Sequence, residues 1–249
     1  MPDFTDSVWM RPARTRSDQP TPSLSRAQIV RAAIELLDAE GAAGLSMRRL
    51  GSHLGSGATS VYWHVANKDE LLELAVDETF AEVYVPEPGD TPWRIGASVM
   101  ANGMRQTLLR HPWVIGTLGI RPTMGPNAMR FGERMVALLT GAGFTGIELS
   151  HASSLLTSHA IGSATAQSAV TASMRRSGLP IDEIAKKIEP YLTEKAADYP
   201  HYDKWRRDNN VLVVEPNQLL TEAFDFGLEC ILDGLDLWLS RNPTKNPAP

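Results

Sequence analysis

Apolar residues recur at three- and four-residue spacing along most of the chain, and between Leu24 and Leu72 they fall into short blocks separated by capping residues and glycines. These blocks predict three short helices. Ser25 stands three residues before Gln28, the spacing of a capping box, and Leu24 and Ile29 flank the cap as a hydrophobic staple. Ile29, Ala33, Ile34 and Leu37 then form one apolar stripe, and Gly41 is a residue that ends the helix. Ser46 opens a second helix, stapled by Leu45 and Leu50, with Met47, Leu50 and Leu54 on one face and Arg48 and Arg49 left outward or along the flank. The run Gly55, Ser56, Gly57 does not extend that helix, since each glycine costs about 1 kcal/mol relative to alanine. A turn and a third helix follow, which makes a helix-turn-helix.

In the third helix Val61 and Val65 are the inward residues, so one buried stripe does not accommodate Thr59, Ser60, Tyr62, Trp63 and His64 as well. Some of them face solvent or a ligand; by spacing alone Tyr62 and Trp63 suit core and contact roles equally, and a lone His64 suits a structural one. Asn67 caps a fourth helix beginning near Lys68, with Glu70 at the capping-box position and Asp69 beside the positive N-terminus.

The prolines and glycine between Pro86 and Pro92 break the chain, and beyond them helices are predicted from Trp93 to Arg110, Asn127 to Leu139, Ile147 to about Ser173 and Asn217 to Leu239. Only Val211 to Val214 reads as a short strand, so the fold class is all-α. The twenty-six residues between Glu148 and Arg175 carry no formal charge, a length that could span a bilayer. Their many Ser and Thr, with His151, His159 and Gln167, argue against membrane insertion and for a helix buried on nearly all sides. Gly162, Ser163, Ala164 and Ala166 would let a neighbour approach closely, and Leu220, Phe224, Leu228, Ile231, Leu235 and Trp238 give the last helix a matching apolar face.

At 249 residues and 43% hydrophobic content the chain buries a substantial core. One cysteine, Cys230, excludes an intrachain disulfide and, with His53, is read as structural; a reducing cytoplasmic setting fits, and no secretory signal is evident at the N-terminus. The net charge of −5 is unevenly placed: Arg11 to Lys68 holds eight basic and four acidic residues, and the rest is acidic. A local positive zone at the helix-turn-helix suits a phosphate backbone, while the acidic remainder is kept off it. Enzyme signatures such as a nucleophile elbow, a phosphate-binding glycine loop or H-E-x-x-H are missing from the sequence, so an enzyme is not expected. His151 and His159 lie two helical turns apart, too far to chelate one metal, and no metal or cofactor is expected.

Three segments, IVRAAIELLDAEG, LSMRRLGSHLG and VYWHVANKDELL, strongly resemble the TetR family of bacterial transcriptional repressors, the tetracycline-repressor branch in particular. The likeness is tight over the N-terminal quarter and loose beyond, where Leu118, Gly119, Ile120, Arg121 and Pro122 look like a conformational hinge of that branch. The resemblance implies residues 24–72 as the DNA-binding domain and 73–242 as an effector-binding and dimerisation domain, while residues 1–23 read by composition as a flexible basic arm and 243–249 as a tail. The arm, with Arg11, Arg14 and Arg16, is either a solvated tail or reaches flanking DNA. By resemblance the helix from about Ala58 to His64 enters the major groove of double-stranded operator DNA, with Arg48, Thr59, Ser60 and Tyr62 at base edges. Ser46, Arg49, Trp63, His64 and Lys68 would contact phosphate.

The same resemblance implies a homodimer in which two helices from each subunit form a four-helix interface, and an effector pocket whose occupancy spreads the heads and releases a palindromic operator. Its lining, judged by helix position, is Tyr84, Met100, Met104, Trp113, Thr117, Ile120, Arg121, Met135, His151, Leu155 and His159. Such walls suit a largely apolar small molecule with a few polar anchors, although Met and Trp at helical spacing are more often plain core. Where the tetracycline branch has a histidine, an asparagine, a second histidine and a glutamate for the drug and its magnesium, Tyr84, Met100, Thr117 and Ala166 stand here. Neither Thr117 nor Ala166 replaces the lost metal ligands, so magnesium-tetracycline is not the expected effector. A ligand-independent activator or architectural DNA-binding protein is the alternative that the sequence leaves open.

Overall fold

The computed structural model describes residues 7–10, 24–87, 89–120, 123–212 and 214–242. Among them regular structure is helical: α1 (Arg26–Gly44), α2 (Met47–His53), α3 (Ala58–Tyr62), α4 (Lys68–Phe80), α5 (Trp93–Arg110), α6 (Pro126–Ala142), α7 (Ile147–Ser177), α8 (Ile181–Glu194), α9 (Pro200–Asp208) and α10 (Pro216–Arg241).

The head, α1 to α3, forms for the local reasons its sequence states. The Ser25 hydroxyl accepts the Gln28 N–H at 3.2 Å while the Gln28 side chain accepts the Ser25 N–H at 2.8 Å, a complete capping box. Gly41 takes φ 71°, kinking the last turn of α1 as only glycine does at little cost. Ile29, Ala33, Leu37, Leu50, Val61 and Val65 close the core of the head. Packing of α2 on α3 depends on Gly51, where a Cβ would stand 2.9 Å from the Ala58 nitrogen and 3.0 Å from the Ser56 carbonyl oxygen. Backbone does not yield as a side chain does. Gly51→Val is therefore expected to cost about 2 kcal/mol through overpacking, read as a lower midpoint in thermal unfolding. Gly57→Ala, whose added methyl meets nothing within 4 Å, is the control expected to leave the midpoint nearly in place.

In the body, α7 packs against both α5 and α10, Arg94 of α5 reaches Glu229, Asp233 and Asp236 of α10 by ion pairs, and α6 lies against α4, α5 and α7. The inward face of α10 is Phe224, Leu228, Leu232 and Leu235; Leu220 and Ile231 are half-buried, and Trp238, expected inside, is exposed. A second apolar stripe on α10, Ala223, Phe226, Cys230 and Leu237, faces solvent, with Phe226 at 74% exposure. Cys230 is thus a surface residue rather than a structural one.

Helix α7 departs from the expectation of burial on nearly all sides: Ala152, Leu156, Ala160 and Ala164 face inward, while Leu155, Ser158, Gly162, Thr165, Ala166 and Ala169 form an exposed uncharged stripe. No described helix is long and apolar enough to cross a membrane. Two helices were not expected at all. Helix α8 is amphipathic, with Ile181, Ile184 and Ala185 toward the protein, and Arg206 of α9 joins it by an ion pair to Glu189 at 2.9 Å while also pairing with Asp203 of its own helix at 2.9 Å. The strand expected at Val211 to Val214 is instead a turn over residues 209–212, because the neighbouring Asn210 takes positive φ and Val211 bonds back to Arg206.

Residues 7–10 correct part of the flexible-arm expectation: the Ser7 hydroxyl donates to Glu73 Oε2 at 2.6 Å, the Val8 N–H donates to the same oxygen at 3.0 Å, and Val8 and Trp9 pack on the core. The remainder of 1–23, with its three arginines, and the tail 243–249 lie outside the described residues.

Candidate nucleic-acid interface

The surface of the head is set by what α3 cannot bury. Val61 and Val65 are fully enclosed, which turns Thr59, Tyr62 and Trp63 outward on the opposite side. Tyr62 is 49% and Trp63 74% exposed, a large aromatic area to leave in water without a partner. Ser60 is half-buried at the edge of this face. Arg48 is exposed on α2, and Ser46 caps that helix by accepting the Arg49 N–H at 3.2 Å.

The remaining expected contact residues are engaged within the head. Arg49 pairs with Glu40 at the surface, and Lys68 Nζ donates to the Ala42 carbonyl at 2.7 Å. Exposed pairs of this kind are worth under about 1 kcal/mol, so a phosphate can displace them. His64 is half-buried with Nε2 shielded and without an acceptor, so its ring leans inward rather than standing on the open face.

Helix α4 carries the head into the body, and its carboxylates do the joining. Asn67 caps it, accepting the Glu70 N–H at 2.8 Å, while Glu70 reaches back to the Ala66 N–H and across to Arg26. Asp77, one of the few buried acids, accepts the backbone N–H groups of Asn127 at 3.1 Å and Ala128 at 2.9 Å, capping α6 from another helix. A second joint links α1 to the turn after α5. There His111 is buried between Asp38 at 2.7 Å and Glu82 at 3.1 Å, and Trp113 Nε1 donates to Asp38 at 2.7 Å. Sequence reasoning found the Asn67 cap with Glu70 but missed Asp38, Asp77 and His111 as joints. The available signal was the spacing of Glu70, Glu73 and Asp77, which places three acids on one side of a helix that is otherwise core.

The expected effector-lining residues are scattered by the fold. Met100, Met104, Trp113 and Met135 are buried, with Trp113 committed to Asp38. Thr117 is half-buried and donates to the Val114 carbonyl at 2.6 Å. Tyr84, Ile120, His151 and Leu155 are exposed, the last two on the outward side of α7 because α7 buries only one stripe; they do not line the interior of this chain. His159 is stacked on Phe224 at 5.0 Å and its Nε2 meets the Phe224 carbonyl at 2.9 Å, a clamp between α7 and α10. Arg121 lies outside the described residues. A cavity of about 250 Å³ lies between α8 and α9, lined by Tyr191, Tyr199, Tyr202 and Arg206 among others and by none of the expected residues.

Residues 29–75 match the family described as bacterial regulatory proteins, tetR family, and residues 85–238 match the tetracyclin repressor-like C-terminal domain. The chain is 37% identical over 194 residues to an HTH-type transcriptional regulator of Saccharopolyspora erythraea, covering 78% of this chain and 79% of that protein. It is 34% identical over 231 residues to the HTH-type transcriptional repressor DrrR1 of Streptomyces coeruleorubidus, covering 92% and 83%. Among solved structures, ActR of Streptomyces coelicolor in complex with actinorhodin superposes with a TM-score of 0.70 at 31% identity, over 86% of this chain and 96% of that one. ActR in complex with (S)-DNPA gives 0.69 at the same identity.

Proposed function

The chain belongs to the tetR family of bacterial regulatory proteins and is a DNA-binding transcriptional regulator, not an enzyme; from that premise we propose a homodimeric repressor, released from a palindromic operator by a small-molecule effector. The observation that carries the reading is the face of α3, where Thr59, Tyr62 and Trp63 stand outward beside Arg48. A helix with these residues at its surface fits the major groove, Arg48 reading guanine through its fork and Arg49 and Lys68 meeting phosphate.

One such helix reads only a few base pairs, and two related by a two-fold axis read a palindrome. The outward stripes of α7 and α10 supply the surface for that second copy. Phe226 and Leu237 provide apolar area, and Gly162, Ala166 and Ala169 allow close approach without burying a charge. Effector binding in the body would act on the heads through α4, which Asp77 ties to α6. Typical coupling is about 1–3 kcal/mol and reciprocal, so ligand and operator lower each other's affinity by the same factor. DrrR1 is described as a repressor, and ActR has been solved with small molecules bound, which supports the direction of this reading.

Selection of bound duplexes from a random library by the full chain tests it. We expect a palindromic motif with half-sites roughly one helical turn, about 34–36 Å, apart. Arg48→Ala should relax preference at one position per half-site by about 1–3 kcal/mol, whereas Arg49→Ala should weaken all duplexes alike and lower the salt slope by about 1. An unstructured pool after selection, or an Arg48→Ala variant with unchanged preference, would refute the assignment.

A further inference from the structure

Two arginines are buried among the described residues, Arg105 and Arg206, and they are provided for in opposite ways. Arg206 is held by two carboxylates, Glu189 and Asp203. Arg105, on α5 and only 5% exposed, has none in contact. Its Nε donates to Ser163 Oγ at 3.1 Å, and its Nη2 donates to Gln167 Oε1 and to Thr221 Oγ1 at 3.1 Å. Its Cζ lies over the Phe224 ring, 4.7 Å from the centroid. Gln167 and Thr171 continue the polar seam to Asn217 of α10.

Every one of these partners is neutral. They satisfy hydrogen bonds but do not neutralise the charge, and a buried guanidinium without a counter-ion is an expensive thing to keep. Asp225 acts on it only at longer range, and burial pushes the guanidinium below its usual range. The Nη1 donors have no acceptor among the described residues and are not enclosed, so one edge of the fork opens to solvent. The position is where three helices of the body meet, α5, α7 and α10, so a group bound there bears on the two helices assigned to the dimer as well as on the one that leads back to α4.

We propose that Arg105 anchors the effector, and that the effector is an organic anion whose carboxylate takes the unfilled edge of the guanidinium, with Ser163 and Gln167 beside it. This rests on the reading of the protein as an effector-released regulator and adds the charge class of the ligand. A carboxylate is the fitting partner because it matches the guanidinium edge and supplies the missing charge. An uncharged molecule of the same shape would leave the charge as exposed to its cost as before.

The test uses the full chain with two probes of nearly equal shape, 2-naphthoate and 2-naphthamide, titrated by calorimetry into wild type, Arg105→Gln and Arg105→Lys. The expected result is that naphthoate binds wild type about tenfold or more tightly than the amide, that Arg105→Gln loses the difference, and that Arg105→Lys retains part of it. Equal binding of the two probes, failure of naphthoate to bind up to its solubility limit, or a preference that survives in Arg105→Gln would overturn the proposal. Should Arg105→Gln fail to fold, the lysine variant decides: retained preference supports the charge, and its loss with wild-type circular dichroism contradicts it. Titration of wild type with its selected duplex in parallel separates the two readings, since duplex binding without charge discrimination removes only the anionic effector.

Discussion

Phe226→Glu combined with Leu237→Glu is expected to turn the protein into a monomer and to lower its affinity for a palindromic duplex by about 10²–10⁴-fold. Both side chains belong to the outward stripe of α10, and Phe226 is among the most exposed large apolar residues described. The inward stripe of Phe224, Leu228, Leu232 and Leu235 is untouched, so each chain keeps its own core. Placing two carboxylates on each copy at a surface of small and apolar residues costs desolvation and repulsion on both sides of a two-fold axis. The loss in DNA binding follows because the second head then binds as an independent molecule rather than at the high effective concentration the dimer gives it. Sedimentation at micromolar concentration and fluorescence anisotropy on the selected duplex measure the two effects. A double variant that remains dimeric would place the interface elsewhere.

Asp77→Ala is expected to lower global stability by about 2–4 kcal/mol, a large share of what holds a domain folded. Asp77 is buried on α4 and accepts from the backbone of Asn127 and Ala128 and from Asn127 Nδ2 at 3.2 Å. Its removal strands donors at the start of α6. The site does not collapse easily, because Gly125 sits so close that a Cβ there would lie 2.2 Å from the Asp77 carboxyl carbon and 2.6 Å from the Trp9 ring. Asp77→Asn keeps an acceptor oxygen and should recover part of the loss. Urea unfolding with a common slope measures the difference, and a change within about 0.5 kcal/mol would mean that α6 begins without this cap. The same variant should weaken the response of operator binding to any effector, since α4 and α6 would then move independently.

Much of the head was legible because its signals are local. Ser25, Ser46 and Asn67 cap the helices they were expected to cap, and Val61 and Val65 turn inward as their spacing requires. Helix α5 runs from Trp93 to Arg110, the span its pattern predicts. The body was read less well where tertiary packing decides. Helix α7 carries no charge in its middle because it has two uncharged sides, and a chain viewed alone does not reveal that one of them faces outward. His151 and Leu155 fall on that side, which is why they do not line the interior.

Helices α8 and α9 were missed for another reason. Charged residues and Pro190 mask the 3.6-residue pattern of isoleucines in α8, α9 is short and polar, and Arg206 ties it to α8 through Glu189, 17 residues away in sequence. The joints through Asp38, Asp77, His111 and Arg105 are likewise long-range: a polar residue inside a helix looks solvated until the fold closes over it. Asp38 and His111 tie α1 to the body, Asp77 ties α4 to α6, and Arg105 ties α5 to α7 and α10, and none of these links was visible to periodicity.

The central claim is that two copies of the α3 face read one duplex. The most direct measurement is a competition titration of the full chain with its selected palindrome against random duplex, from dilute buffer to physiological salt, with the chain-to-duplex ratio taken at saturation. The account predicts two chains per palindrome and a preference over random sequence of about 10³-fold or more. Binding that is equal for both duplexes at every salt concentration, or one chain per palindrome at saturation, would contradict it.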